Sequence, residues 1–127
     1  MKATIFVVDD TVSCRRPMER LLNAEGYSTR SATNGLEALD ALQSFIPDLM
    51  LLDLAMPVMD GFEVLERLRG TPRWASLPVI VVTGETSRGA EPRARELGAR
   101  EVFLKAKFSC DDLFASIRRE LAASQPV

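Results

Sequence analysis

The sequence predicts an α/β domain: a parallel β-sheet with helices covering both faces. Three observations lead there. First, the runs IFVV (Ile5–Val8), LMLL (Leu49–Leu52) and VIVV (Val79–Val82) are apolar throughout rather than alternating, as strands buried on both faces are. Second, longer amphipathic stretches at helical spacing separate these runs. Third, the strand–helix pair recurs five times, the pattern of a sheet joined by crossover helices. A chain of 127 residues, 46% hydrophobic and 27% charged, can build one such core, which excludes a large multidomain enzyme and a disordered tail.

Taken in order, Ile5–Val8 is the first strand. A helix starting near Val12 or Ser13 runs to Ala24 with Met18, Leu21 and Leu22 on one face, and Gly26 stops it. From that start Pro17 falls at the end of the first turn, where its missing donor costs little. Tyr27–Ala32 is a weaker, edge-like strand. Gly35–Phe45 is a helix carrying Leu36, Ala38, Leu39 and Leu42, broken by Pro47. Leu49–Leu52 is a buried strand, and Gly61–Arg69 a helix with Phe62, Leu65 and Leu68 inward. Val79–Val82 is the next strand. Ser87–Leu97 is the weakest helix, because Gly89 and Pro92 both disfavour it. Val102–Leu104 is a short strand. Ser109 caps the last helix, with Asp112 three residues on and Leu113, Ile117 and Leu121 as its apolar stripe. Residues 1–127 read as a single domain, with Ala123–Val127 as a frayed end or the start of a linker.

Composition narrows the function. Sixteen basic against 18 acidic residues, net charge −2, do not favour non-specific nucleic-acid binding. The absence of histidine excludes histidine catalysis and histidine metal sites. Cys14 and Cys110 are too few and too scattered for a zinc site or a disulfide scaffold and read as free thiols in a reducing compartment. No targeting or membrane segment is legible, since the apolar runs end at Asp9 and Asp53. The expectation is a cytoplasmic protein without a direct nucleic-acid or membrane partner. Arg88, Arg93, Arg95 and Arg100, tempered by Glu91 and Glu96, form either a solvated helix face or a surface for an acidic partner.

In an open parallel sheet, ligands bind beyond the carboxyl ends of the strands. The residues that end the strands therefore carry the chemistry: Asp9 and Asp10 after the first, Asp53 after the third, Thr83 after the fourth, Lys105 after the fifth. Each alone is ordinary; an Asp-Asp pair often just caps a helix. Together they make a specific kit. Clustered carboxylates repel one another and hold their protons more tightly unless a cation is present, and a hard divalent ion, Mg²⁺ foremost, relieves that. A carboxylate can also attack a phosphoryl group, and phosphoryl transfer asks chiefly for positioning and charge neutralisation. No P-loop pattern is present, which removes nucleotide hydrolysis of that type.

The segments VVDD (Val7–Asp10), LLDLAMPVMDGFE (Leu51–Glu63), LPVIVVTGE (Leu77–Glu85) and ELGAREVFLK (Glu96–Lys105) resemble the receiver domain of bacterial response regulators, from Ile5 to about Leu121. The resemblance implies a flavodoxin-like, doubly wound sheet in the order 2-1-3-4-5. It implies that Asp53 is the phosphoacceptor, Asp10 a direct Mg²⁺ ligand, Asp9 the acid that helps hold the ion, and Ala55 the residue whose backbone carbonyl also binds it. The small Ala55 side chain leaves the site mouth open to water. Thr83 matches the hydroxyl that turns toward the phosphoryl group, and Lys105 the lysine that pairs with it. A sensor histidine kinase donates the phosphoryl group, and the face built from the fourth helix, fifth strand and fifth helix then changes its population of states toward a downstream effector. Homodimerisation through that face is common in the family. Such a domain is a switch and not an enzyme, although it takes part in its own phosphotransfer and autodephosphorylation.

Two departures stand out. The family usually has Lys-Pro after the fifth strand, often with a cis bond; Ala106 follows Lys105 here. A cis bond without proline costs about 2.5–4 kcal/mol, so a trans bond and a rearranged loop are expected. Counting back from Phe108 implies an inserted residue and makes Lys107 a minor candidate beside Lys105. The position of the switch aromatic, three residues before the lysine, holds Val102, and Phe103 next to it points to the other sheet face, so the aromatic readout is expected to be muted or altered. A pseudo-receiver acting as a phosphorylation-independent interaction module is the alternative. An aspartate-nucleophile phosphatase is disfavoured by Ala55, where that class carries a second aspartate, and a flavin-binding domain by the carboxylates at the phosphate position.

Overall fold

The computed structural model describes residues 2–84 and 88–124. The elements are β1 (Thr4–Val8), α1 (Val12–Ala24), β2 (Ser28–Ala32), α2 (Gly35–Ala41), β3 (Leu49–Leu52), α3 (Gly61–Arg69), β4 (Val79–Thr83), α4 (Ala90–Glu96), β5 (Glu101–Leu104) and α5 (Cys110–Ser124). All strand pairs are parallel, in the order β2-β1-β3-β4-β5. The sheet is therefore the doubly wound one expected, with polar β2 on one edge and half-buried β5 on the other.

Strand periodicity divides the core in two. Ile5 and Val7, Leu49 and Leu51, Ile80 and Val82 pack under α1 and α5 with Leu22, Leu113 and Ile117. Their neighbours Phe6 and Val8, Met50 and Leu52, Val79 and Val81 pack under α2, α3 and α4 with Leu39, Leu65, Leu68 and Ala94. Alternate residues of one strand thus serve opposite layers, which is why these strands read as unbroken apolar runs.

The helix boundaries follow local chemistry. Gly26, at φ 97°, closes α1: its N–H bonds the Asn23 carbonyl and that of Tyr27 the Leu22 carbonyl. Asn34, Asp60 and Ser109 each accept a backbone N–H three residues on, from Glu37, Glu63 and Asp112, at 2.8–3.1 Å.

Several expectations are corrected. Pro17 is the sixth residue of α1 rather than the end of its first turn, so it forfeits the bond an amide there would make to the Ser13 carbonyl. Leu21 is 41% exposed and Leu36 also lies largely in solvent; both flank the buried stripe instead of joining it. α2 stops at Ala41 because Gln43 and Ser44 bond carbonyls three residues back, tightening the chain into turns before Pro47. α4 starts at Ala90: Gly89 is its N-cap and Pro92 lies in the first turn, where an amide has no intrahelical partner, so neither weakens it as expected. The expected start at Ser87 lies outside the described residues. α5 continues through Ala123 and Ser124, where a frayed end or linker is expected from sequence, and residues 125–127 lie outside the described residues. Among the described residues, no helix is long and apolar enough to cross a membrane.

Candidate functional site

The carboxyl ends of β1, β3, β4 and β5 bring the strand-end residues to one place. Register sets this up: Val8 pairs with Leu52, Leu52 with Val81, and Thr83 with Leu104. Asp53 donates its N–H to the Val8 carbonyl (3.0 Å), and Lys105 to that of Thr83 (2.8 Å). The α3 N-terminus closes on the same point. Gly61 donates to the Leu54 carbonyl at 2.9 Å, and a Cβ there would collide with the Asp53 carbonyl oxygen.

Asp53 is 4% exposed, Asp9 7% and Thr83 1%. The Thr83 hydroxyl donates to Asp53 Oδ1 at 2.8 Å, and the Ala55 N–H reaches the same oxygen at 3.3 Å. Lys105 Nζ lies 3.0 Å from Asp53 Oδ2 and 2.8 Å from Asp9 Oδ2, bridging the two acids. Asp9 Oδ1 accepts the Thr11 N–H at 2.9 Å. Asp10 is exposed, yet one carboxylate oxygen from each of Asp9, Asp10 and Asp53 lies within 4.8 Å of the others. Burial, the largest single influence, works against the Lys105 charge. The hydrogen bonds it donates to Asp9 and Asp53, with the charges behind them, overcome it and hold the ammonium above the ordinary lysine range. The cluster thus carries three carboxylates against one ammonium, and it has hard oxygen donors that suit a small divalent cation.

Of the two candidate lysines, Lys105 enters the cluster and Lys107 is exposed. The Lys105–Ala106 bond is trans, and the loop turns at once, Lys107 N–H bonding the Leu104 carbonyl at 3.0 Å. Ala55 is exposed at the mouth. Val102 packs on the α4 side of the sheet, while Phe103 faces the other layer and meets Phe108 edge-on at 6.1 Å. Three of the four arginines near α4 are exposed but have partners within the fold. Arg93 lies 4.1 Å over the Phe62 ring, Arg95 pairs with Glu91 and Glu101, and Arg100 with Glu120.

Two features escaped the sequence reading. Arg69 donates to three backbone carbonyls, of Ala75, Leu77 and Gly98, at 2.8–3.0 Å, tying α3 to the α4–β5 turn. Val58 sits at φ 70° in a three-residue turn closed by the Met59 N–H on the Pro57 carbonyl (2.8 Å). Nothing in either residue's local sequence signals these roles.

A buried acid flanked by a hydroxyl and an ammonium, at the carboxyl edge of a 2-1-3-4-5 sheet, is the arrangement that the resemblance to a receiver domain implies. Comparison with known proteins agrees: the model of the response regulator receiver domain family matches residues 5–118, and the chain belongs to that family. It is 37% identical over 126 residues to response regulator MprA of Mycobacterium tuberculosis, covering 99% of this chain and 54% of that protein. MprA of Mycobacterium avium is 37% identical over 122 residues, 96% of this chain and 52% of the relative. The chain thus spans about half the length of the curated relatives it matches. Among solved structures, the receiver domain of a signal transduction histidine kinase from Syntrophus aciditrophicus superposes with TM-score 0.91 at 29% identity, covering 98% of this chain and 94% of that one. The chemotaxis protein CheY4 of Vibrio cholerae gives 0.84 at 30% identity, covering 94% and 98%.

Proposed function

We propose that this receiver domain is a phosphorylation-operated switch in which Asp53 accepts a phosphoryl group from a sensor histidine kinase. The observation that carries the reading is the Asp53 carboxylate, buried and held between the Thr83 hydroxyl and the Lys105 ammonium, with Asp9 and Asp10 beside it. A carboxylate oxygen of Asp53 attacks phosphorus while the donor's bond to phosphorus breaks. The fixed position of Asp53 limits the motion this needs, and its open side at Ala55 leaves room for the donor. Lys105 and Thr83, already on the two Asp53 oxygens, move to the new phosphoryl oxygens.

Asp9, Asp10, Asp53 and the Ala55 backbone carbonyl would hold Mg²⁺, whose chemistry here is neutralisation of phosphoryl charge. The carboxylate set fits that ion: three hard oxygen donors within 4.8 Å of one another, with an excess of negative charge. Movement of Thr83 toward the phosphoryl group changes the face of α4, β5 and α5 that a downstream effector reads. With Val102 where an aromatic residue is usual, that readout is muted. A Val102→Tyr variant should therefore respond more strongly to phosphorylation in effector binding, and an unchanged response would sink this point. A kinase partner and two free thiols fit a cytoplasmic location.

The test is incubation with acetyl phosphate and Mg²⁺ followed by intact mass measurement. The expected result is a gain of one phosphoryl group, absent in Asp53→Asn. No gain, with Mg²⁺ binding established separately, would instead support a phosphorylation-independent interaction module.

A further inference from the structure

α3 touches the acidic site at one end and the α4–β5 turn at the other. At its N-terminus Gly61 donates to the Leu54 carbonyl at 2.9 Å, and no room for a Cβ remains between Gly61 and the Asp53 carbonyl oxygen. At its C-terminus Arg69 Nη2 donates to the Gly98 carbonyl at 2.8 Å, and the Arg69 side chain lies where a Gly98 Cβ would stand. Arg69 Nη1 holds the Ala75 and Leu77 carbonyls at 3.0 and 2.9 Å. Burial, and then the Arg100 charge, lower the Arg69 pKa, so the place suits a cation only through the bonds it makes there. Between the two ends Val64, Leu65 and Leu68 are buried. α3 is thus a packed rod of about 12 Å from Gly61 to Arg69.

α4 depends on that rod for its place. Within α4 only Ala90 and Ala94 are buried, and their methyl groups supply little apolar area. Arg95 reaches Glu101 of β5 at 3.5 Å in a largely exposed pair, which contributes little. The contacts with α3 are closer in kind to a grip. Arg93 lies 4.1 Å over the Phe62 ring, and Arg69 holds Gly98, the residue that closes α4, where the Ala99 N–H bonds the Ala94 carbonyl at 3.0 Å.

We propose that α3 couples Asp53 to α4, with Arg69 as the positioning residue that holds the far end. This is a second route beside Thr83, and its use in signalling rests on the phosphorylation reading above. A displacement of the Asp53 backbone has to move Gly61, and α3 carries that movement to Gly98. Coupling is reciprocal, so a partner that grips the α4–β5 turn resets the Asp53 site by the same route.

The first test needs no phosphodonor. Amide hydrogen exchange is measured on the full chain for wild type, Arg69→Met and Leu22→Ala. Leu22 lies in the opposite core layer, and urea brings the two variants to equal stability, so lost stability alone affects both alike. The Gly61 amide should exchange several-fold faster in Arg69→Met than in Leu22→Ala. Arg69→Lys keeps the charge but loses the fork that reaches three carbonyls, and it takes the place of Arg69→Met should that chain not fold. The second test is the rate of acetyl phosphate labelling in a cycle of Gly61→Ala, Arg69→Met and the double variant. Sites about 12 Å apart act independently by default, so their slowing factors multiply. Coupled through α3, the double variant should instead be slowed by about threefold less than the product. Equal Gly61 exchange in the two variants, or slowing factors that multiply, would overturn the proposal. If no chain is labelled, wild type included, the phosphorylation reading fails and the exchange comparison alone decides the coupling.

Discussion

Lys105 holds two acids together, and replacing it with methionine keeps the length of the side chain while removing the charge. Its ammonium lies 2.8 Å from Asp9 and 3.0 Å from Asp53, whose side chains are 10% and 4% exposed. Removing one partner of a fully buried ion pair costs about 3–5 kcal/mol. The Lys105 side chain is 23% exposed and Asp10 opens the site to water, so about 2–3 kcal/mol is expected here. At roughly 3–5 °C per kcal/mol for a domain of this size, Lys105→Met should melt roughly 6–15 °C lower than wild type. Urea unfolding of Lys105→Met, Asp53→Asn and the double variant measures the coupling directly. The lysine loss should cost about 1–2 kcal/mol less when Asp53 is already neutral. The pH dependence has a definite sign. Lys105 holds its proton more tightly folded than unfolded, so its contribution is complete below about pH 10.4, the ordinary lysine value, and fades as pH rises through the higher folded value. Wild type should thus lose stability in strong alkali faster than Lys105→Met. Additive variants, or a Lys105→Met chain as stable as wild type at pH 7, would refute the claim that the ammonium holds the acids together.

Other residues give sharp expectations. Val58 is 76% exposed and gains little packing from its left-handed conformation, which costs a β-branched residue about 1–2 kcal/mol. Val58→Asn should therefore raise the urea midpoint, and a lower midpoint would show that the strain reading is wrong. Arg69→Met strips three carbonyls of their donor and should cost about 2–4 kcal/mol, with hydrogen exchange rising in the α4–β5 turn before the sheet. Uniform exchange would refute that local role. Gly61→Ala should cost about 2–3 kcal/mol by forcing α3 off the Asp53 carbonyl, and slow acetyl phosphate labelling more than Gly70→Ala, where the nearest contact is 3.3 Å. Equal labelling rates would count against α3 as a positioner of Asp53.

How far the structure can be read from residues alone depends on the range of the forces involved. The strand runs, the Ser109 cap and the Gly26 stop are local, and the chain records them directly; Asn34 and Asp60 cap α2 and α3 by the same local chemistry but were not singled out. Asp9, Asp10, Asp53, Thr83 and Lys105 are far apart in sequence but legible together, because a parallel sheet delivers its strand ends to one edge. What escaped was set by distant partners. Arg69 finds Gly98 across 29 residues, and nothing near Arg69 announces it. Leu21 and Leu36 have core-type side chains, and only the neighbouring elements decide which helical positions are covered. Val58 hides for the opposite reason: valine is a poor candidate for positive φ, so a pattern search passes over it. Gly89 and Pro92 are unfavourable inside a helix, but here they occupy its cap and first turn, where they are tolerated.

The division of β1, β3 and β4 between two core layers also constrains how such a chain can diverge. Lengthening any of these strands internally by one residue would send every later side chain on it to the opposite layer, exchanging Phe6-like and Val7-like positions that differ in volume. Substitution can wander there within size limits, but insertion and deletion cannot. Length variation is thereby channelled into the connections beyond the strand ends. The segment after Lys105, with Ala106 and a trans peptide bond, lies in such a connection. The sheet forbids a change of register, and the connections at its carboxyl edge, where the acidic cluster lies, are free of that constraint.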